Sequence, residues 1–514
     1  MEDSAVSRTE KGGFFPSRGF WWHAALGVIV AGALLVRLYD IAYPPASFHP
    51  TRQYRAALIA RAFYVNHDLA SARIEGLLEP PLAEGMAAGL YKILGQESLA
   101  AARAMSIVWW MLAAMFLYLL AERAISRDGA VVAVLFFLFL PFSVMASRSF
   151  QPDPLMMMFF VGSAWSIFRL RETPTGRWQA AAISLSALAI FTKPVCLFPI
   201  WLAFLTTGVA RDGFRATLKN VWTWLYFGLG FLPSLLYYGY GLFVADFLRW
   251  QADASFVPGL LFTPSFWRDW VRLAVEVVGG TAIVVALLGM PLARLRSTKA
   301  LLVGLWAGYV VMGLVFTFHI HTHNYYQMPL IPIVALSLGA SVGFVLERLA
   351  SLNVACRAAL TAALVAGVVL TADATCKELR RDKGGDAWAA LAKEIGNRVG
   401  HSWKTVFVAP DYGHSLMYYG GVAGTRWPYA YERRFPPEKI EENLAQMIAE
   451  RSPRYFIMAE MLEFQQQPNL ERALAKYPVV FATDNCRVYD LTRVRAVEKV
   501  SDERNRKPTG GRGS

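Results

Sequence analysis

The sequence DIAYPPASFHPTRQYR occupies residues 40–55, and EPPLAEGMAAGLYKILG occupies residues 79–95. These two stretches open and close a long polar loop that follows the first apolar segment of the chain. The loop brings the acids Asp40, Glu79 and Glu84 into the same region as several basic and amide side chains, while the apolar runs around it carry almost no charge. This contrast predicts a polar loop at a membrane surface, where chemistry can take place.

The composition is that of a membrane protein with many spans. Of 514 residues, 55% are hydrophobic and only 17% are charged, which excludes an ordinary soluble enzyme. A formal net charge of +13 is also found in nucleic-acid-binding proteins. Membrane proteins, however, collect Lys and Arg in their cytoplasmic loops, and the loops described below hold much of this charge. We therefore expect membrane lipids, and no nucleic acid, as partners.

The sequence contains about eleven apolar segments that we expect to be transmembrane helices, although 178–191 and 194–210 are short. The first runs from Phe20 to Leu38, exceeds the usual signal-peptide core and lacks a small-residue cleavage site, so we expect an uncleaved anchor with residues 1–19 in the cytoplasm. The others lie at roughly 103–121, 129–147, 154–170, 178–191, 194–210, 221–244, 271–292, 299–318, 327–346 and 356–372.

Two decisions determine this count. Residues 178–210 as a single helix would be about 50 Å long, against a hydrocarbon core of about 30 Å, so a turn at Thr192-Lys193-Pro194 fits better. Counting Leu82 to Leu94 as a further span leads towards the alternative of thirteen helices.

The positions of the basic residues support eleven spans. Every second loop is basic, as expected on the cytoplasmic side, and these loops contain Arg123 and Arg127; Arg169, Arg171 and Arg177; Arg211, Arg215 and Lys219; Arg294, Arg296 and Lys299; and Arg348 and Arg357. We thus expect a multi-pass protein of the plasma (inner) membrane, with the C-terminal region on the exterior or periplasmic side.

The composition changes after Ala372. Residues 376–491 alternate helix-like stretches with short apolar runs such as Val406 to Ala409, Tyr455 to Met458 and Val479 to Ala482, which predicts a small exported α/β domain. Residues 492–514 have too little apolar content to pack and are expected to form a disordered basic tail. Cys376 and Cys486 could form a disulfide or remain as two thiols, since spacing alone decides neither.

The first loop offers candidate general bases. Asp40 and Glu79 are carboxylates expected at the outer face, where one of them can accept a proton from a substrate. Asp40 is equally explained as a partner of Arg37, three residues earlier on the same helix face. Glu79 precedes Pro80-Pro81, which favour an extended backbone, and it can also be an ordinary loop acid.

A second candidate region is SRSFQPDP, residues 147–154. Asp153 stands at the start of the next apolar segment, where helix capping explains an acid as well as catalysis does. Arg148 can pair with Asp153 or bind a phosphate oxygen.

Basic and aromatic residues cluster at two further outer loops. Lys193 at the predicted turn is either an interfacial lysine or a clamp for an anion. His319, His321 and His323 are three of the eight histidines. An extended backbone would aim all three to one side, whereas a helix would align only His319 with His323. Imidazoles suit zinc, so a divalent metal is one interpretation, but no cofactor is required by the sequence.

The order of these motifs resembles that of the GT-C glycosyltransferases, integral-membrane enzymes that use polyprenyl-phosphate sugars and include the protein O-mannosyltransferases and the lipid A aminoarabinose transferases. The matching stretches are FHPTRQYRAALIAR (48–61), EPPLAEGMAAGLYKILG (79–95), SRSFQPDPLMMMF (147–159), TKP (192–194) and HNYYQMPLIP (323–332).

The resemblance implies a transmembrane glycosyltransferase domain at 20–375, with a catalytic outer loop at 40–102. Many relatives carry an Asp-Glu pair in this loop where the present chain has Thr51-Arg52-Gln53, so Asp40, Glu79 and Asp153 remain as candidate bases. The residues expected to bind the donor phosphate, its sugar or the acceptor are His49, Arg52, Gln53, Glu84, Arg148, Lys193, His321, His323, Tyr325 and Tyr326.

The implied reaction is transfer of one sugar from a polyprenyl-phosphate donor to a lipid, glycan or protein acceptor, with inversion. Two other functions remain open. A ligase or polymerase that moves whole lipid-linked glycans would share the cationic outer loops. A transporter would need polar residues at mid-depth, whereas here the charges gather at one face.

Overall fold

The structure, a computed structural model, describes residues 20–46, 48–66, 77–249, 255–380 and 384–494. The predicted cytoplasmic segment 1–19 and positions 495–514 of the predicted tail lie outside these residues. Contacts divide the chain into two compact units between Gly385 and Asp386, somewhat beyond the change in composition after Ala372.

All regular elements among the described residues of the first unit are helices. Its helices are α1 (Phe20–Leu38), α2 (Pro50–Val65), α3 (Leu82–Leu94), α4 (Leu99–Ala124), α5 (Arg127–Phe139), α6 (Pro141–Ser147), α7 (Pro152–Glu172), α8 (Gly176–Thr192), α9 (Leu197–Asp212), α10 (Phe214–Lys219), α11 (Val221–Gly239), α12 (Pro264–Val278), α13 (Gly280–Leu287), α14 (Gly289–Leu292), α15 (Arg296–Val315), α16 (Thr317–Thr322), α17 (Leu330–Leu349) and α18 (Val354–Arg380). Short 3₁₀ turns at Pro194–Cys196 and Asn324–Gln327 precede α9 and α17.

Six helices of the described chain are long and apolar enough to cross a membrane, and the number rises to eight if each of two bent pairs is one span. The bends are 64° between α5 and α6, and 91° between α12 and the segment that follows it. A shorter apolar helix covers Trp22–Leu38. The predicted segments 154–170 and 178–191 lie in α7 and α8 but do not meet the same test, so the count of eleven stays a prediction.

The chain breaks at Lys193, where the sequence predicts a turn. Helix α8 ends at Thr192, Lys193 is extended (φ −161°, ψ 122°), and Pro194 opens the next turn. Proline lacks the N–H that would continue the helix. Helix α3 has 13 residues and is therefore only about 20 Å long, shorter than a hydrocarbon core of about 30 Å.

Helices α9 and α15 pack backbone to backbone through glycines. A Cβ added at Gly308 would lie 2.3 Å from the Cα of Pro199, and one at Gly304 would lie 2.6 Å from the Cα of Ala203. Small residues allow helices in a membrane to approach this closely. The contact fixes α9, which follows Lys193, against α15, which precedes the histidine-rich segment.

Arg37 is fully buried at the break between α5 and α6, rather than paired with Asp40. Its guanidinium donates to Ser147 Oγ at 2.7 Å and to the carbonyl of Leu138 at 2.7 Å. The break leaves that carbonyl without its helical partner, so Arg37 satisfies it. Asp40 is exposed and has a positive φ of 48°.

The second unit is a small α/β domain, as the sequence predicts. Its sheet has the order β2-β1-β3-β5-β4; β2, β1 and β3 are parallel, and β5 is antiparallel to both neighbours. The strands are β1 (Thr405–Val408), β2 (Gly424–Arg426), β3 (Tyr455–Met458), β4 (Val479–Thr483) and β5 (Cys486–Asp490), and the helices are α19 (Gly385–Arg398), α20 (His414–Gly420), α21 (Ile440–Arg451), α22 (Leu462–Gln466) and α23 (Pro468–Leu474).

Both faces of this sheet are covered. Val406 and Val408 of β1 pack in one hydrophobic cluster with residues of α21 and α23. Phe407 points the other way and packs with residues of α19 and α20. Alternate side chains of a strand face opposite sides, so one short apolar strand supports both layers. Among the described residues, neither Cys376 nor Cys486 forms a disulfide.

Candidate functional site

The centre of the site is Asp153, in the first turn of α7. Its Oδ1 accepts a hydrogen bond from Lys193 Nζ at 2.6 Å, and its Oδ2 accepts one from Arg52 Nη2 at 2.8 Å. Asp153 is 0% exposed, and the side chain of Lys193 is 2% exposed. Helix α2, helix α7 and the break after α8 thus supply one charged side chain each.

Electrostatics keep this cluster charged. Burial alone would raise the pKa of Asp153, but the adjacent charges of Arg52 and Lys193, together with their hydrogen bonds, lower it to about 2. Burial opposes the charge on Arg52 as well, yet Asp153 raises the pKa of that guanidinium. Burial and the neighbouring Arg52 lower the pKa of Lys193, while Asp153 opposes this shift. One carboxylate is therefore shared by two cations. The three side chains together carry a net positive charge, which can attract an anion.

Aromatic rings of the segment after α16 cover the two cations. The guanidinium of Arg52 lies 3.9 Å from the ring centre of Tyr325, and Lys193 Nζ lies 4.7 Å and 5.0 Å from the rings of Tyr325 and Tyr326. Such cation–π contacts hold a cation in place without neutralising it. Two of the predicted aromatic residues therefore belong to the site.

His49 joins the same wall. Its ring packs edge-on against Tyr325 with centres 5.0 Å apart, and its Nε2 is 2.8 Å from Asn324 Oδ1. Burial and the charge of Arg52 lower the pKa of His49 to about 4, so the ring is neutral at pH 7. A neutral imidazole at this position acts as a hydrogen-bonding group.

The three histidines of the 319–323 segment divide into two groups. Helix α16 places His319 and His323 near each other, with ring centres 5.6 Å apart, and His319 stacks on Tyr326. Burial lowers the pKa of both rings to about 4. His321 instead bonds the carbonyl of Thr317 and faces Phe266. No group of three or more His, Cys, Asp or Glu suited to a metal ion is found in the described part of the chain.

Glu79 and Glu84 lie on the other side of Arg52. Glu79 is 4.0 Å from Arg52 Nη2 and 3.9 Å from Arg55 Nη2, which makes a loose ion pair with both. Glu84, in the first turn of α3, is 6% exposed. A cavity of about 10 Å³ is lined by both acids, both arginines, Pro152 and three apolar residues.

Arg148, Gln53 and Asp40 line a second cavity of about 30 Å³. Arg148 is buried and donates to the carbonyl of Tyr39 at 2.6 Å, while its own carbonyl accepts from Arg103. Gln53 Oε1 accepts from the backbone N–H of Phe150. Burial lowers the pKa of Arg148, although Asp40 opposes this. Arg148 is not the partner of Asp153, so that predicted pairing is wrong.

The structure therefore groups the predicted residues in two adjoining places. The first place brings together Arg52, Asp153, Lys193, Glu79, His49, Tyr325 and Tyr326, with His323 beside them and Glu84 across a small cavity. The second place is the cavity lined by Arg148, Gln53 and Asp40. Three further polar residues lie here that the sequence analysis does not assign to the site. Arg55 belongs to the same polar loop as Arg52 and follows it by three positions, a spacing that places both on one helix face. Asn324 lies within the stretch HNYYQMPLIP, and Arg103 has no local signal in the sequence.

Comparisons with known proteins show what this chain resembles in sequence and in fold. Residues 78–238 match the family described as dolichyl-phosphate-mannose-protein mannosyltransferase, a region that contains Glu79, Asp153 and Lys193. No curated protein matches the sequence.

Solved structures match the chain over most of its length. ArnT from Cupriavidus metallidurans in the apo state has a TM-score of 0.62 at 17% identity, covering 91% of this chain and 98% of ArnT. The same protein bound to undecaprenyl phosphate has a TM-score of 0.59 at 16% identity, with the same coverage.

A third match is the oligosaccharyltransferase AglB from Archaeoglobus fulgidus, in complex with an inhibitory peptide and a dolichol-phosphate. Its TM-score is 0.56 at 14% identity, and the match covers 89% of this chain and 72% of AglB. The predicted resemblance to the GT-C glycosyltransferases is thus confirmed, and the chain has their helical fold with a small C-terminal sheet.

Proposed function

We propose that this protein is a glycosyltransferase that moves a single sugar from a polyprenyl-phosphate donor to a lipid, glycan or protein acceptor at the outer face of the plasma (inner) membrane. The observation that carries the proposal is the buried Asp153, shared between Arg52 and Lys193. Two cations held by one carboxylate form a preorganised site for a phosphate.

The donor is inferred from the charge of this site and from the similar structures. ArnT has been seen with undecaprenyl phosphate, and AglB with a dolichol-phosphate. In the present chain, Arg52 and Lys193 would bind the donor phosphate and stabilise the negative charge that grows on it as the sugar leaves. Phosphate is a good leaving group when stabilised in this way, so no general acid is needed.

The acceptor is deprotonated by a carboxylate as it attacks the anomeric carbon. A single displacement of this kind inverts the configuration at that carbon. The three bases suggested by the sequence differ in availability. Both oxygens of Asp153 already accept from cations, so its role is to position Arg52 and Lys193. Glu79 stands free of close hydrogen bonds to those cations, and Asp40 is exposed beside the second cavity.

The neutral His49, His319 and His323 and the rings of Tyr325 and Tyr326 would contact the sugar and its phosphate. They supply hydrogen-bonding groups and aromatic faces without adding charge. His321 faces Phe266, so we place it at the edge of this surface. Arg148 and Gln53 line the adjoining cavity, and we assign them to another part of the donor or the acceptor.

We further propose eleven spans with the C-terminal unit outside, because five basic loops alternate with the loops that hold the site residues. A reporter fused after Leu491 that is active only outside the cytoplasm is the expected result. Activity of a cytoplasm-only reporter at that position would contradict this topology.

The central experiment offers the purified protein a panel of polyprenyl-phosphate monosaccharides and candidate acceptors. We expect release of polyprenyl phosphate together with transfer of one sugar. Mass spectrometry of envelope lipids, glycans and glycoproteins, with and without the protein, identifies the acceptor. If the folded wild-type protein consumes none of these donors, the proposal fails.

A ligase is the second candidate, since AglB shares the fold. It would move an entire glycan in one step. Adding a lipid-linked oligosaccharide to the same assay separates the two functions, because only the ligase would increase the acceptor mass by more than one sugar.

A further inference from the structure

Glu84 is a buried acid in this region, and one of its carboxylate oxygens has no bond within the described chain. Its Oε2 is buried and has no hydrogen-bond partner among the residues that the structure describes. Asp153, in contrast, binds two cations, and Glu79 lies about 4 Å from two arginines. A buried acceptor without a partner is costly, so its presence calls for an explanation.

The cavity beside Glu84 holds a second group of the same kind. Arg52 Nη1 is also buried without a partner in the described chain, and Arg52 lines the cavity together with Glu84. The other nitrogen, Nη2, is already engaged with Asp153. Arg52 and Glu84, each with one buried polar atom that lacks a partner in the described chain, therefore line the same small cavity.

The size of this space limits what it can receive. Its volume of about 10 Å³ admits one group of the size of a water molecule. An acceptor hydroxyl or amine fits this description, whereas a sugar ring does not. The lining residues Ala56, Ile59 and Leu78 are apolar and offer no side-chain hydrogen bond to such a group.

We propose that Glu84 is the general base of the transfer and that this cavity seats the attacking hydroxyl or amine of the acceptor. This inference rests on the proposed function. The acceptor heteroatom forms a bond to the anomeric carbon while the bond from that carbon to the phosphate oxygen breaks. The bonding pair leaves with the polyprenyl phosphate, which Arg52 binds, and the acceptor proton passes to Glu84 Oε2.

The titration of Glu84 agrees with this role. Burial raises the pKa of its carboxyl to about 7, the negative charge of Glu79 adds to the increase, and Arg55 and Arg52 of α2 oppose it. A base works best when its pKa lies near the working pH, because it is then both ionised and able to hold the proton.

The test is Glu84→Gln in the full-length protein, with Glu97→Gln as the control. Glu97 forms a partly exposed ion pair with Arg61, and its loss should leave the rate unchanged. Glu84→Gln should lower kcat about 10²- to 10⁴-fold while the donor KM stays within about threefold. The wild-type rate should rise with pH through a midpoint near 7, and this dependence should vanish in the variant.

Three further results decide between explanations. Added undecaprenyl phosphate should raise the Tm of Glu84→Gln as much as it raises the Tm of the wild type. An equal rise means that the variant still binds the lipid phosphate, so its lower rate would reflect a catalytic role of Glu84. Glu84→Asp keeps the carboxylate one methylene further back, so a rate at least tenfold lower is expected even if the Gln variant does not fold. The inference would be overturned, and Glu79 favoured as the base, if the wild type transfers the sugar and Glu84→Gln does so at a near-normal rate with the same pH dependence. Failure of the wild type to use any polyprenyl-phosphate sugar would instead overturn the proposed function.

Discussion

Asp153 and Glu84 occupy similar local positions but have opposite surroundings. Each is a buried acid in the first turn of a helix, and each follows proline closely in the sequence. Asp153 receives one cation at each oxygen, whereas Glu84 has an oxygen without a partner in the described chain. The difference teaches that the role of a buried acid is set by what other segments bring to it.

The two acids also respond to pH in opposite directions. The pKa of Asp153 lies below its ordinary value, so its stabilising contribution is present above about pH 4 and is lost as pH falls towards 2. The pKa of Glu84 lies above its ordinary value, so the folded state becomes less stable as pH rises from about 4.5 to 7. One acid holds the site together, while the other makes it less stable at the pH at which it can act.

The largest effect on stability is expected from Asp153→Asn. The amide cannot compensate Arg52 and Lys193, so two cations remain buried with no anion between them. Loss of one partner from a buried ion pair typically costs about 3–5 kcal/mol. Denaturation of the detergent-solubilised protein should show a loss of this size, and transfer should disappear.

Asp212→Asn is the matched control for that experiment. Asp212 pairs with Arg211 at 3.5 Å, and both side chains are about 40% exposed. An exposed pair contributes less than about 1 kcal/mol. Similar losses for the two variants would mean that Asp153 does not organise the site.

The second prediction concerns the stability of Glu84→Gln rather than its rate. At pH 8 the variant should be more stable than the wild type, by on the order of 2 kcal/mol, because it removes a buried charge that has no ion-pair partner among the described residues. At pH 4.5 the two proteins should melt together, since Glu84 is then protonated.

Paired Tm measurements at these two pH values provide the test. His49, His319 and His323 have lowered pKa values, so both proteins lose stability as pH falls below about 6.5. That loss is common to both and cancels in the difference. A Gln variant less stable than the wild type at pH 8 would contradict our description of the Glu84 surroundings.

The third prediction is that Lys193→Met weakens donor use more than folding. Asp153 keeps Arg52 as its partner, so the stability loss should be smaller than that of Asp153→Asn. Removing one of two cations from the phosphate site should raise the donor KM about tenfold, equal to about 1.4 kcal/mol. Lys219→Met, at an exposed position, is the control. An unchanged KM in well-folded Lys193→Met would remove Lys193 from the site.

The sequence predicted those features that depend on local pattern. The break at Thr192-Lys193-Pro194 was predicted because one helix over residues 178–210 would be too long for the hydrocarbon core. Three strands of the C-terminal sheet were predicted from short apolar runs. Strand β2 was missed because it has only three residues, and β5 because CRVYD mixes polar and apolar positions.

Local sequence patterns could not predict which residues pair with each other in the site. Arg52 is 101 residues from Asp153 and Lys193 is 40 residues away, so only the packing of the helices brings them together. Arg148, much nearer in sequence, bonds a backbone carbonyl instead. The sequence does not tell whether Glu84 is buried or exposed, because an acid in the first turn of a helix is also favourable when it faces water.

The smallest effect is expected from Arg148→Gln. Nε and Nη1 of Arg148 are buried without partners in the described chain, so its charge is not required by a close ion pair. Replacing it with a neutral amide removes a desolvated cation, and stability should change by less than about 1 kcal/mol, since loss of the bond to the Tyr39 carbonyl offsets the gain. Transfer should fall only a few-fold, because Arg52 and Lys193 remain at the phosphate. Initial rates at saturating and at low donor concentration, beside thermal melts, provide the measurement. A hundredfold loss of rate with an unchanged Tm would instead place Arg148, and the cavity it shares with Asp40 and Gln53, at the reacting groups themselves.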